Sequence, residues 1–150
     1  MNIAKITGKV FAGLAGLMLM AGISSCEKED TIKESDLPAE IKTYINTHFA
    51  GHTIMKAETE GSGDRKTYEV RLSGNVKLDF NSSKNIKDIE SDVKLPDSVI
   101  PAKILLYVQT NYTGLFITDW ELDREGQKVE LNNGVDLVFS ADGDFIRIDQ

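Results

Sequence analysis

The chain writes one unit twice. Residues 37–58 read LPAEIKTYINTHFAGHTIMKAE, and 63 residues further on residues 100–121 read IPAKILLYVQTNYTGLFITDWE. Ile104, Tyr107, Val108 and Tyr112 stand where Ile41, Tyr44, Ile45 and Phe49 stood, Gly114 replaces Gly51, Ile117 replaces Ile54, and Glu121 replaces Glu58. After Glu121 the loop is four residues shorter, and at the reduced offset Val129, Leu131, Val135, Leu137, Phe139 and Ile148 repeat Val70, Leu72, Val76, Leu78, Phe80 and Ile89. Shortening a surface loop costs little, so tandem units survive it. A single unit of roughly 55 residues buries too little surface to be comfortable alone. The two copies are therefore expected to share one core.

Each copy begins with a helical pattern. Ile41, Tyr44, Ile45, His48 and Phe49 form one apolar stripe at helical spacing, which predicts a helix over residues 38–49. Pro38 suits its first turn, Ser35 upstream is a candidate cap, and Gly51 ends it. Ser98, Pro101 and Gly114 repeat that arrangement. The pattern then switches to period two. Residues 53–60 read as a strand, Tyr68, Val70 and Leu72 alternate with Glu69 and Arg71, Val76, Leu78 and Phe80 alternate with Lys77 and Asp79, and residues 85–90 make a short last strand. Apolar–polar alternation with tight turns predicts consecutive antiparallel hairpins covered on one face only. The predicted fold class is α+β. Two tandem helix-plus-four-strand units, residues 37–90 and 95–150, form one antiparallel sheet of about eight strands, with both helices on one face and the other face open.

The start of the chain has a different character. Lys5 and Lys9 precede a 14-residue apolar run, residues 10–23, followed by Ser24, Ser25 and Cys26, the only cysteine. The run is too short to span a membrane comfortably and has the anatomy of an export signal, an uncleaved anchor being the alternative. Ile23-Ser24-Ser25-Cys26 resembles the lipobox of bacterial lipoproteins. That resemblance implies a signal peptide over residues 1–25, acylation of Cys26 and attachment to the bilayer through its lipid. Residues 26–36 are expected to be a flexible tether. Glu27, Lys28, Glu29 and Asp30 resemble the surface-export signal of Bacteroidota lipoproteins, a plain solvated tether being the other reading. The expected address is the outer membrane, at its periplasmic face or at the cell surface.

The run from Leu37-Pro38 through Ile41, Tyr44, Phe49, Gly51, Ile54 and Glu58, followed by Tyr68-Glu69-Val70 and the alternating strand after it, resembles the PepSY-like, or β-lactamase-inhibitor-like, domain family of Bacteroidota lipoproteins. The likeness covers nearly all of residues 37–149 and is strongest over residues 117–139. It implies the fold, and it brings no catalytic residues with it. Unit one departs from the pattern at Ser73-Gly74-Asn75, where the Asn133-Gly134 order of unit two is reversed.

Net charge is −7, which argues against a nucleic-acid partner, since neutralising phosphates needs clustered Lys and Arg. No catalytic constellation is read: Cys26 is assigned to lipid, and no serine sits in a nucleophile-elbow context. His48 and His52 have metal-ligand spacing, but Gly51 falls between them, and no metal or cofactor is assigned. Asp119, Glu121, Asp123 and Glu125 alternate like half a calcium loop, which needs Gly at its sixth position and Glu at its twelfth, but this segment instead continues a strand, so they read as a solvated strand edge. Trp120 replaces Ala57 of the first copy. A lone Trp is most often core. The sharper expectation places Trp120 on the open face with Arg71, Lys77, Glu130 and Arg147, as the candidate site for a protein or peptide partner. The expected function is non-catalytic binding through that face, inhibition of a hydrolase being one version of it. An accessory part of an envelope assembly, with no ligand of its own, is the alternative.

Overall fold

The structure, a computed structural model, describes residues 30–149. The leader, the lipobox and Cys26 lie outside the described residues. Strands β1 (Asp30–Thr31), β2 (Ile54–Glu60), β3 (Thr67–Leu72), β4 (Val76–Phe80), β5 (Ile86–Glu90), β6 (Ile117–Leu122), β7 (Gln127–Leu131), β8 (Asp136–Phe139) and β9 (Phe145–Asp149) form one antiparallel sheet in sequence order. Helices α1 (Ala39–His48) and α2 (Ala102–Asn111) precede β2 and β6. The fold is the α+β sheet of tandem helix-plus-four-strand units, with one strand more than the repeat requires. That strand comes from the expected tether: Asp30 and Thr31 pair with Thr59 and Glu58, and residues 34–36 form a 3-10 turn.

Local chemistry sets the helix ends, though not as the serines suggested. Pro38 and Pro101 are the N-cap residues, and neither helix has a side-chain cap. Ser35 and Ser98 sit instead inside 3-10 turns, closed by Leu37 N–H donating to the Glu34 carbonyl and Ile100 N–H to the Asp97 carbonyl. Both helices stop alike: Phe49 N–H donates to the Ile45 carbonyl and Tyr112 N–H to that of Val108, each at 2.8 Å, and Gly51 and Gly114 follow with positive φ.

The repeat is a packing repeat. Ile41 and Ile104 are fully buried, and so are Val70 with Val129 and Leu78 with Leu137. Tyr44 packs edge-on against Phe80 at 5.6 Å, and Tyr107 does the same to Phe139 at 5.4 Å. Burial pushes the Tyr44 phenol up to about 12. The units join where β5 pairs with β6, Ile89 lying opposite Trp120. The linker is pinned there by Ser91 N–H to the Thr118 carbonyl and Leu95 N–H to that of Ile117. One hydrophobic cluster runs through both units.

Candidate ligand-binding face

With both helices packed on one side, every second strand residue points to the other. The register sorts these outward residues into two rows running across the strands. One row reads Glu58, Glu69, Asp79, Asp88 and Glu121, then Lys128, Val138 and Arg147. The neighbouring row reads Lys56, Arg71 and Lys77, then Glu90, Asp119, Glu130, Asp136 and Asp149. The first is acidic over unit one and carries its cations over unit two; the second is the reverse. The acidic halves meet on β5 and β6, whose outward residues Asp88, Glu90, Asp119 and Glu121 include no cation.

Like charges opposite one another across a ladder are destabilising. Glu69 lies opposite Asp79, Asp79 opposite Asp88, Asp88 opposite Glu121, and Glu90 opposite Asp119. Lys77 offsets part of this, reaching Glu90 at 2.7 Å, Asp79 at 3.5 Å and Asp88 at 3.9 Å. Burial alone would lower the Lys77 ammonium, but the hydrogen bond to Glu90 and the surrounding carboxylates outweigh it and push it up to about 12. On the far side Lys128 reaches Asp136 at 3.5 Å, while the other oxygen of Asp136, Oδ1, is buried without a hydrogen-bond partner. The centre stays under-compensated. Burial, then the charges of Asp88 and Glu90, push the Asp119 carboxyl up to about 7, against the pull of Lys128. Burial and the neighbouring Glu90 and Asp79 push Asp88 up to about 6.

Along the second row the face is hollowed into an open depression of about 950 Å³. Arg71 and Lys77 line one side, and Glu90, Asp119 and Glu130 the other. Carboxylate oxygens of Asp88, Glu90 and Asp119 lie within 4.8 Å of one another, close enough to share one metal ion. No metal ligands are assigned from the sequence. The signal that could have found these three is the pairing of two acidic strands, which is visible only once β5 is known to lie beside β6.

Four residues expected on the open face are on it. Arg71, Lys77 and Glu130 border the depression, whereas Arg147 lies on the edge strand, paired with Glu125 at 3.1 Å. Trp120 is not there, and its expected place is corrected. It is 7% exposed and faces the helices between Ile89 and Val129, its Nε1–H donating to Gln127 Oε1 at 2.9 Å. Gln127 is buried too and donates to the Ala141 carbonyl. The physical reason is register: Trp120 shares the core side of the ladder with Ala57, and the indole fills space that Ala57 leaves to its neighbours.

The remaining candidates have local duties. His48 Nδ1 lies 3.0 Å from Ser98 Oγ, tying α1 to unit two, and His52 Nδ1 lies 2.6 Å from the Ser73 carbonyl oxygen. Asp123 Oδ1 accepts from Glu125 and Gly126 N–H and closes the short β6–β7 turn.

The described chain is thus a tandem α+β sheet protein with one free, charge-patterned face, and comparison with known proteins agrees on the class. The sequence matches the family described as "Putative beta-lactamase-inhibitor-like, PepSY-like" over residues 24–88 and again over residues 66–147. The chain belongs to this PepSY-like family. It is similar to a protein of Bacteroides thetaiotaomicron titled a "putative calcium-regulated periplasmic protein", with 28% identity over 81% of this chain and 97% of that one, TM-score 0.75. It is also similar to a "putative periplasmic protein" of Bacteroides vulgatus, with 28% identity over 83% and 99% of the two chains, TM-score 0.76. A second Bacteroides vulgatus protein, described as periplasmic and of unknown function, shares 25% identity over 82% and 100%, TM-score 0.75. No curated protein matches the sequence.

Proposed function

We propose that this chain is an exported lipoprotein, held at the outer membrane by acylated Cys26, whose open sheet face binds a basic segment of a protein or peptide without chemistry. The observation that carries the reading is the charge reversal along the depression, from Arg71 and Lys77 to Glu90, Asp119 and Glu130. A segment laid across the strands with its cations over Asp119 offsets the carboxylates that Lys77 and Lys128 compensate only in part. Blocking a hydrolase by such contact is one form this binding takes, and it rests on the family description alone. The periplasmic descriptions of the relatives support export, and the lipobox supports the anchor.

A second reading is favoured by the carboxylate trio. Asp88, Glu90 and Asp119 supply hard oxygen ligands of the kind calcium takes, and one relative is titled calcium-regulated. One calorimetric experiment tests both readings, titrating a lysine-rich peptide and, separately, calcium chloride into the protein and its Glu90→Gln/Asp119→Asn variant. Peptide heat that weakens with salt and disappears in the variant supports the first reading, and calcium heat that disappears supports the second. Binding that ignores the variant, or none from either probe, overturns them. Loss of membrane association in Cys26→Ala tests the anchor, and a variant that stays membrane-bound removes it.

A further inference from the structure

The two edges of the sheet are unlike. β2 is covered by the short β1. Among the described residues no strand pairs with the outer side of β9, and its side chains are exposed along its whole length. Phe145, Ile146 and Ile148 are large apolar groups on that edge. An unpaired apolar edge is a template for another strand, and proteins usually blunt such edges.

The repeat shows what this position is built to receive. β9 is the copy of β5, and Ile148 stands where Ile89 stands. Ile89 is 0% exposed because β6 pairs alongside and sets Trp120 opposite it, whereas Ile148 is 48% exposed. Within the chain, the outer side of a unit's last strand is thus a strand-accepting edge. Unit one's edge is filled by unit two.

We infer that the outer edge of β9 pairs antiparallel with β9 of a second copy of this chain, joining two sheets into one, with Ile148 at the two-fold axis. The register follows from charge and face. Opposed residues of an antiparallel pair lie on the same side of the sheet, so Ile148 opposite its own copy places apolar on apolar, beside the helices. The same register sets Arg147 opposite Asp149 of the partner subunit, twice, on the open face. Moving the axis to Arg147 or to Asp149 would place like charges together. Within the chain Asp149 lies opposite Asp136 and is reached by Arg147 at 3.6 Å, and the pairing adds the partner subunit's Arg147 directly opposite it. The two-fold stands perpendicular to the sheet, so both helix layers lie on one side and both depressions on the other. The contact is isologous, so it closes at a dimer.

The experiment is cross-linking of the full chain in cells with a short bismaleimide, through Ile148→Cys. Ile148 is half-exposed, so the variant keeps the fold, and the wild type, with Cys26 alone, sets the background. Opposed Cβ atoms at about 4.5–5.5 Å react readily. The expected result is a band at twice the mass of the uncross-linked protein on the same gel, well above the wild-type level. Adding Arg147→Glu lowers that band about tenfold, and adding Asp149→Arg as well restores it, because the opposed charges are exchanged. No dimer above background, a cross-link to a different protein, or a dimer indifferent to Arg147→Glu overturns the inference.

Discussion

Asp119 shows how a single side chain can be placed against its own stability. Its carboxyl sits half-buried between Glu90 and Glu130 across the ladder, with Asp88 close by, and titrates near 7. Below the ordinary carboxylate pKa the folded and unfolded chains are both protonated there, and nothing is lost. Between about 4 and 7 the unfolded chain gives up its proton while the folded chain holds it, so stability falls as pH rises through that window. Asp88, near 6, adds to the same slope. Asp119→Asn should therefore flatten the decline and stabilise the protein at pH 8 by about 1 kcal/mol after allowance for solvent screening, read from urea midpoints at pH 4 and pH 8. A slope unchanged by the substitution would show that the carboxyl is ionised at ordinary pH. Trp120 is the opposite case, a residue whose position is all packing. Trp120→Ala removes the indole opposite Ile89 and leaves the buried Gln127 amide without its donor, an expected loss of about 3–5 kcal/mol in denaturation. Ligand binding at the open face, measured where that variant is still folded, should stay at the wild-type level.

At the scale of elements, the two units differ most in the loop between their first two long strands. The unit-two loop is short because it is tightly closed: Asp123 Oδ1 accepts two backbone N–H groups, and Gly126 takes φ +145°. A Cβ on Gly126 would land on the Phe139 carbonyl oxygen and 2.8 Å from the Ser140 carbonyl carbon. Gly126→Ala should thus cost more than about 2 kcal/mol, seen as a lowered denaturation midpoint with unchanged slope. The reversed turn of unit one also has a geometric consequence. Gly74 and Asn75 both take positive φ there, whereas in unit two Gly134 alone does. The two hairpins keep one register through different turns, because Leu72 pairs with Val76 whatever lies between.

For the whole molecule, the question is whether a unit is a domain. The core cluster is continuous, His48 crosses from α1 to Ser98, and Ile89, with Leu78 on one side, has Trp120 of the second unit on the other. A fragment ending at Glu90 would expose Ile89 along a new edge and lose Trp120 from its core. It should show no cooperative thermal transition by circular dichroism, whereas the described chain, residues 30–149, should unfold in one step. A folded fragment would mean that the units are independent domains.

What the sequence determined by itself was the repeat and all that follows from periodicity: two helices of matching stripe, the order of the hairpins, the side of β3, β4, β7 and β8 that enters the core, and the open face bearing Arg71, Lys77 and Glu130. These are local or period-two signals, and a residue's neighbours four or two positions away suffice to set them. Tertiary structure decided the rest. That Trp120 is core follows from which side of the ladder β6 turns to the helices after the register shift between Ile117 and Asp119. That residues 30 and 31 add a strand depends on the edge of β2 being free to take them. The acidic centre of the open face exists only because β5 lies beside β6. Asp88 and Glu90 are some thirty residues from Asp119 along the chain, and charges become a site through distance in space, which sheet order sets and sequence spacing does not.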